Sequence, residues 1–439
     1  MINRIMNIEY KQLYNIIISM INILICVIVL VFKLYNNTFL GILLLALNLY
    51  MLIKYRKNKL LFFAMIIIVY FNFSFVITKY IGTPIELLQG VYNQISNSDT
   101  MTIGITALII CFSILNIVIG NVNNIDNKPS LQPSKVTIAN RNKIVLILQV
   151  LLTLILLYHI IAGITHNTTL LEYSIFLFIF AFYYSKGNKT NKIILEILLM
   201  FFAIYSLKNG DRISVLQFLL ADFIINYLDK FTIKKMIACL IIGITIFTFA
   251  GVYGDFLEYG QDLKDLSIRY AVDKFMERRM ALDTSISAYF SGLSMIDVSN
   301  KYTIEERIKN GIEYFTSYTL LGSKSNYTSL DLEIRKYQIN YGGGLPTCYF
   351  YFWGGWLGVV LFSLYLGKLL KIAKEKDNPG KSDYVKLLSI FIVATIPRWY
   401  LYAPTLLFRG VIIFSIIYLG IFLLSNVKLN IKYLMQNKK

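Results

Sequence analysis

The sequence predicts an all-α polytopic membrane protein, with about twelve transmembrane helices and one long extracytoplasmic loop. Two observations carry most of that reading. Hydrophobic residues make up 56% of the 439 positions and charged residues only 15%, more apolar surface than a soluble core of this size buries. Uncharged runs close to the roughly 20 residues that span a bilayer recur along almost the whole chain, so lipid is the solvent that the apolar excess requires. The third observation is the placement of basic residues, which follows once the runs are set out.

The runs lie at 13–32, 38–53, 60–78, 101–119, 144–164, 169–185, 193–207, 213–228 and 236–253, then at 346–367, 387–402 and 406–426. They divide the chain into a helix array over 1–253, a long loop over 254–345, and a last group of helices with a tail over 346–439. Arg4 and Lys11 precede the first run in the manner of a signal peptide. The run continues to Phe32 without a small-residue cleavage site, however, and is expected to stay as the first helix.

Alternate connectors and both termini collect 26 Lys and Arg, against 6 on the opposite side; the other 11 of 43 fall in the long loop, which is largely exempt from the rule. Both termini are therefore expected in the cytoplasm and the loop outside. A net charge of +18 could suggest nucleic acid, but no clustered basic face or binding module accompanies it. The charge belongs to topology and to contact with membrane lipids. Cys26, Cys111, Cys239 and Cys348 are far apart and form no disulfide framework. His159 and His166 are too few for a metal cluster, and His159 reads as a satisfied histidine on an apolar helix.

Within the loop, 266–289 and 304–318 read as amphipathic helices. Thr284, Ser287 and Ser291 beside Ile286, Tyr289 and Phe290 suit either a helix along the membrane interface or a small solvated subdomain.

Charges at the ends of membrane helices need a partner, a water-filled cavity or a function. Asp211 and Arg212 follow Gly210 and open the 213–228 run, where a helix N-terminus beside a guanidinium suits a phosphate; an Asp211 cap next to an interfacial arginine reads equally well. Arg398 and Arg409 flank a short outer turn, where they either converge on one outward cavity or snorkel to headgroups. Arg278 and Arg279 are consecutive, so on a helix they point about 100° apart and only one of them faces a given phosphate. The stretch 340–358 carries Tyr341, Gly342, Gly343 and Gly344, then Leu345 and Pro346, then a run of aromatics with Gly354 and Gly358. No Gly-Lys-Ser/Thr follows, so this is no nucleotide-binding loop. Its aromatics suit an interfacial belt or a stacking surface for sugars.

A Gly-Asp-Arg turn before a helix, a long outer loop, and a Gly-Gly-Gly-Leu-Pro run entering an aromatic helix together resemble the bacterial Wzy-type oligosaccharide repeat-unit polymerases of O-antigen and capsule. The resemblance implies a fold like that of membrane glycosyltransferases using polyprenyl-linked donors. It implies an enzyme that moves a growing glycan from undecaprenyl diphosphate to the next lipid-linked unit, in the bacterial plasma membrane. Both donor and acceptor are then undecaprenyl-diphosphate-linked oligosaccharides. Arg212, Arg398 and Asp211 would be catalytic; Arg278, Arg279, Arg409, Tyr341 and Gly342 to Gly344 would bind substrate. It implies no cofactor, metal or nucleotide sugar, and a flippase and chain-length regulator of the same pathway as partners. For a base, Asp211, Asp255, Glu258 and Glu313 stay open, as does the departing diphosphate itself. Related ligases carry a histidine near the glycine run, where this chain has Tyr341, which favours polymerase over ligase. A flippase would share the substrate, but the chain lacks the matching halves of alternating-access transporters.

Overall fold

The structure, a computed structural model, describes residues 2–81, 98–121, 138–164, 168–258, 282–322, 327–338, 343–374 and 382–426, with isolated positions between 267 and 276. Arg278, Arg279, Tyr341, Gly342 and His166 lie outside the described residues, as do the side chains of Arg4, Lys11, Lys79, Asp255 and Glu258.

Among the described residues every regular element is a helix. The first group is α1 (Ile2–Val31), α2 (Asn37–Tyr55), α3 (Lys59–Ile81), α4 (Ser98–Ile119), α5 (Ile138–Ile161), α6 (Thr169–Tyr184), α7 (Lys189–Lys208), α8 (Arg212–Asp222) and α9 (Ile233–Glu258). The loop region supplies α10 (Leu282–Val298), α11 (Ile304–Glu313) and α12 (Leu330–Ile334). The last group is α13 (Pro346–Lys374), α14 (Asp383–Ala394), α15 (Ile396–Leu401) and α16 (Val411–Asn426). Side chains fix several starts: Asn36, Thr168, Asn188 and Asp211 accept from the backbone N–H groups of Phe39, Leu171, Asn191 and Ser214.

Eight helices are long and apolar enough to cross a membrane, and two apolar stretches, Lys59–Phe73 and Thr169–Tyr184, are shorter. The chain is thus a polytopic membrane protein. The remaining two expected spans are helical but interrupted. α8 loosens into a wide π turn at Phe223–Tyr227 and ends at Lys230. α14 stops at Thr395, whose hydroxyl donates back to Phe391 O, because Pro397 follows two residues later; α15 then starts afresh.

The central helix is α4, whose apolar span is 83% buried, against 22% for those of α7 and α9. The Ile, Leu and Phe side chains that α7 and α9 leave exposed form faces that only lipid solvates well. α10 packs against α3, α4 and α13 with Tyr289, Leu293 and Ile296 buried. Gly104 on α4 makes room for it, since a Cβ there would meet Leu293 Cδ2 at 2.5 Å. This loop-region helix is therefore part of the packed bundle, neither lying on an exposed interface nor forming a separate solvated unit.

α13 departs from the continuous span expected at 346–367. Gly354 and Gly355 leave the helical region (φ −140° and +57°), and the two halves fold against each other. Phe350 and Phe362 stack at 4.7 Å, whereas on a straight helix they would stand roughly 18 Å apart. Gly358 faces Phe350 O so closely that no side chain fits there. The short first half is held by α11. Arg307 donates to Phe352 O and, at 2.7 Å, to Tyr351 O, taking up carbonyls that the break leaves without helical partners. Trp353 donates to Asn310 Oδ1 at 2.8 Å and lies against Gly311. α11 itself opens with a capping box, in which the Thr303 backbone N–H and hydroxyl hold the Glu306 carboxyl below its ordinary value.

Candidate active site

The six-residue α15 separates two cavities. Residues four apart share a helix face, so Pro397 and Leu401 border one cavity while Arg398 and Tyr402 border the other.

The polar cavity, about 370 Å³, collects residues from four parts of the chain: Glu172 and Tyr173 from α6, Tyr318 and Asp331 from the loop region, Gly343 and Tyr349 around the glycine run, and Arg398, Tyr402 and Arg409 beyond it. Arg398 donates to Glu172 through Nε at 2.8 Å and Nη2 at 3.4 Å, and its guanidinium lies over the Tyr402 ring at 5.1 Å. The pair is half-sunk, with 34% of the arginine and 13% of the glutamate side chain exposed. Glu172 sits in the first turn of α6, where a helix N-terminus favours negative charge. The charge of Asp211 also reaches Arg398.

Arg409 is carried by a wide π turn, Leu406–Gly410, ahead of α16. Its guanidinium lies over the Tyr173 ring at 5.4 Å and packs on the backbone of Gly322, where φ is +63° and a Cβ would collide with it. Arg409 Nε is buried without a hydrogen-bond partner.

The glycine run closes this cavity by backbone contact. Gly343 adopts φ +84°, and a Cβ there would meet Leu401 O and Tyr402 Cα at 2.8 Å. Gly344 N–H donates to Leu401 O at 3.1 Å, and Tyr349 donates to Tyr402 O at 3.1 Å. The glycines thus permit the end of the loop region to sit directly on the end of α15. Gly343 borders the cavity, whereas the Gly344 amide is committed to the protein.

The second cavity, about 500 Å³, is apolar and runs between α3, α8, α9 and α15. Arg212 and Thr284 line it at one end of α8, with Asp222 at the other, roughly 15 Å along the helix. Arg212 Nη2 donates to Thr284 Oγ1 at 3.1 Å and the guanidinium lies over Phe247 at 5.3 Å, while Nη1 is buried without a partner. Asp211 caps α8 through Oδ1, and its Oδ2 is buried without a partner.

Of the residues singled out from sequence, Arg398, Arg409 and Gly343 thus share one cavity. Arg212 faces the neighbouring one, with Asp211 at the foot of its helix, and Glu313 borders neither. Sequence reasoning passed over Glu172 and Asp331. Glu172 carried a readable signal, a carboxylate within the apolar run 169–185. Asp331 carried none, being one acid in a heavily charged loop. His159 is satisfied on both ring nitrogens, by Ile155 O at 2.8 Å and Thr168 Oγ1 at 2.6 Å. Among the described residues no three His, Cys, Asp or Glu side chains converge as a metal site requires. Chemically, two guanidinium groups beside carboxylates and tyrosines suit a substrate that is anionic at one point and hydroxyl-rich around it.

No curated protein and no solved structure matches the chain. A family model does: that of the O-antigen polysaccharide polymerase Wzy matches residues 14–430, nearly the full length. The chain belongs to the O-antigen polysaccharide polymerase Wzy family.

Proposed function

We propose that this polymerase joins undecaprenyl-diphosphate-linked repeat units on the outer face of the bacterial plasma membrane, using the polar cavity as its reaction chamber. The observation that carries the reading is the short helix α15, with a polar cavity holding two arginines on one face and an apolar cavity on the other. A lipid diphosphate sugar has the same division. Its isoprenoid chain suits the apolar space along α8, and its diphosphate suits Arg398 and Arg409. Arg398 is pre-aligned by Glu172, and Arg409 has a donor to offer. As the bond to the anomeric carbon breaks, negative charge gathers on the departing diphosphate, and fixed guanidinium groups stabilise it more there than in the ground state. Arg212, with one free donor, is assigned to the lipid-facing side of the same substrate. In this reading the arginines supply the charge stabilisation, without a metal.

Deleting the gene in its native host and sizing the surface glycan tests this. Long chains disappear while single lipid-linked repeats still reach the outer face, and wild type restores them where Arg398→Ala does not. Arg398→Lys restores only part, since a point charge lacks the two-pronged geometry. Normal chain lengths with a stably inserted Arg398→Ala would remove the residue from the reaction. Repeats held on the inner face would make the chain a transporter instead.

A further inference from the structure

Glycosyl transfer needs a destination for the acceptor's hydroxyl proton, and the polar cavity contains few groups able to take it. Glu172 is engaged by Arg398 at both of its carboxylate oxygens. Burial, and then the charge of Asp331, push the Tyr318 phenol above its ordinary value, so it stays protonated at neutral pH. Tyr349 donates its proton to Tyr402 O. Asp331 is different: its carboxylate borders the cavity and makes no hydrogen bond or ion pair among the described residues. It is nevertheless held in place. Leu330 and Ile334, on either side, are 1% and 0% exposed, and Tyr302 donates to Glu333 Oε1 at 2.9 Å, fastening the turn. Tyr318 and Tyr349 line the cavity on the same side. The groups across the cavity are Arg398, Arg409, Glu172, Tyr173 and Tyr402.

Resting on the polymerase reading above, we propose that Asp331 is the general base that receives the acceptor's proton. The acceptor hydroxyl oxygen forms the new bond to the donor's anomeric carbon as that carbon's bond to the diphosphate oxygen breaks. The bonding pair leaves with the diphosphate, facing Arg398 and Arg409. The hydroxyl proton passes to the Asp331 carboxylate and from there to water at the cavity mouth. Oxidation states do not change.

The full-length chain in lipid vesicles, supplied with lipid-linked repeat units extracted from the deletion strain, tests this by initial rate against pH. Asp331→Asn is expected to slow transfer by about 100-fold or more, the usual range for a general base. It should also remove the acid limb of the wild-type profile. Asp331→Ala is expected to regain activity when formate is added, which covers the case in which the asparagine variant fails to insert. A rate within about threefold of wild type, or a slower rate with the acid limb unchanged and no formate rescue, would overturn the proposal. In either of those cases a wild-type chain that still polymerises, and an Arg398→Ala chain that does not, would leave the polymerase reading standing. A wild-type chain that joins no units would sink that reading instead.

Discussion

Arg398 and Glu172 meet from distant parts of the chain, and their pairing sets the geometry of the polar cavity. A guanidinium held at two points presents its remaining donors in a fixed direction, which a free arginine does not. Glu172→Ala is therefore expected to shorten or abolish the polysaccharide while the protein still inserts. Its stability should fall by about 1–2 kcal/mol, because the pair keeps some solvent contact. Thermal unfolding in detergent and glycan sizing check this; wild-type chain length would show that Arg398 needs no alignment. Arg398 and Arg409 were legible in the sequence because a charge at the end of an apolar run is costly and demands an explanation. Glu172 obeys the same rule, yet an acid in the first helical turn also has an ordinary stabilising role, which hides it. Asp331 was illegible, since nothing local separates it from Glu305, Glu306 or Glu333. What distinguishes it is the packing of Leu330 and Ile334 against distant elements.

Among the elements, the broken helix α13 is the part that hydropathy misreads. Both halves are apolar, so a sliding pattern runs through Gly354 and Gly355 without a gap. The break is decided by a positive φ at Gly355 and by Arg307, which arrives from the loop region to bind the exposed carbonyls. Arg307→Ala is expected to cost about 1.5–3 kcal/mol, the range for hydrogen bonds to charged groups. The glycine run rests on the same short half-helix, so glycan chain length should fall as well. Gly355→Ala adds about 1–3 kcal/mol of backbone strain at the same place, where φ +57° and ψ −143° suit glycine alone. Unchanged stability in both variants would mean that the fold of α13 on itself is not what holds the glycine run against α15. The buried position of α10 was likewise beyond local reading, because its Ser and Thr pattern resembles a surface helix until Gly104 is seen to admit it.

At the scale of the whole molecule, the sequence's strongest message was the membrane itself, carried by composition and by eight helices long enough to cross. The count of about twelve depended on treating interrupted segments as spans, and α8 and α14 show how proline and wide turns shorten them. Sidedness rests on the basic connectors. In a chain whose own cysteines are replaced, Tyr337→Cys is expected to react with an impermeant maleimide in intact cells and Lys230→Cys only after lysis. The reverse pattern would turn the site toward the cytoplasm. The central claim, that this chain alone joins lipid-linked units through the α15 cavity, is met most directly by purifying it into vesicles. It would be supplied with lipid-linked single repeats in the presence of EDTA, and the products sized. A ladder of longer lipid-linked glycans with release of the diphosphate lipid, absent with Arg398→Ala, is the expected result. Repeats that remain single, or that cross the bilayer without being joined, would contradict it.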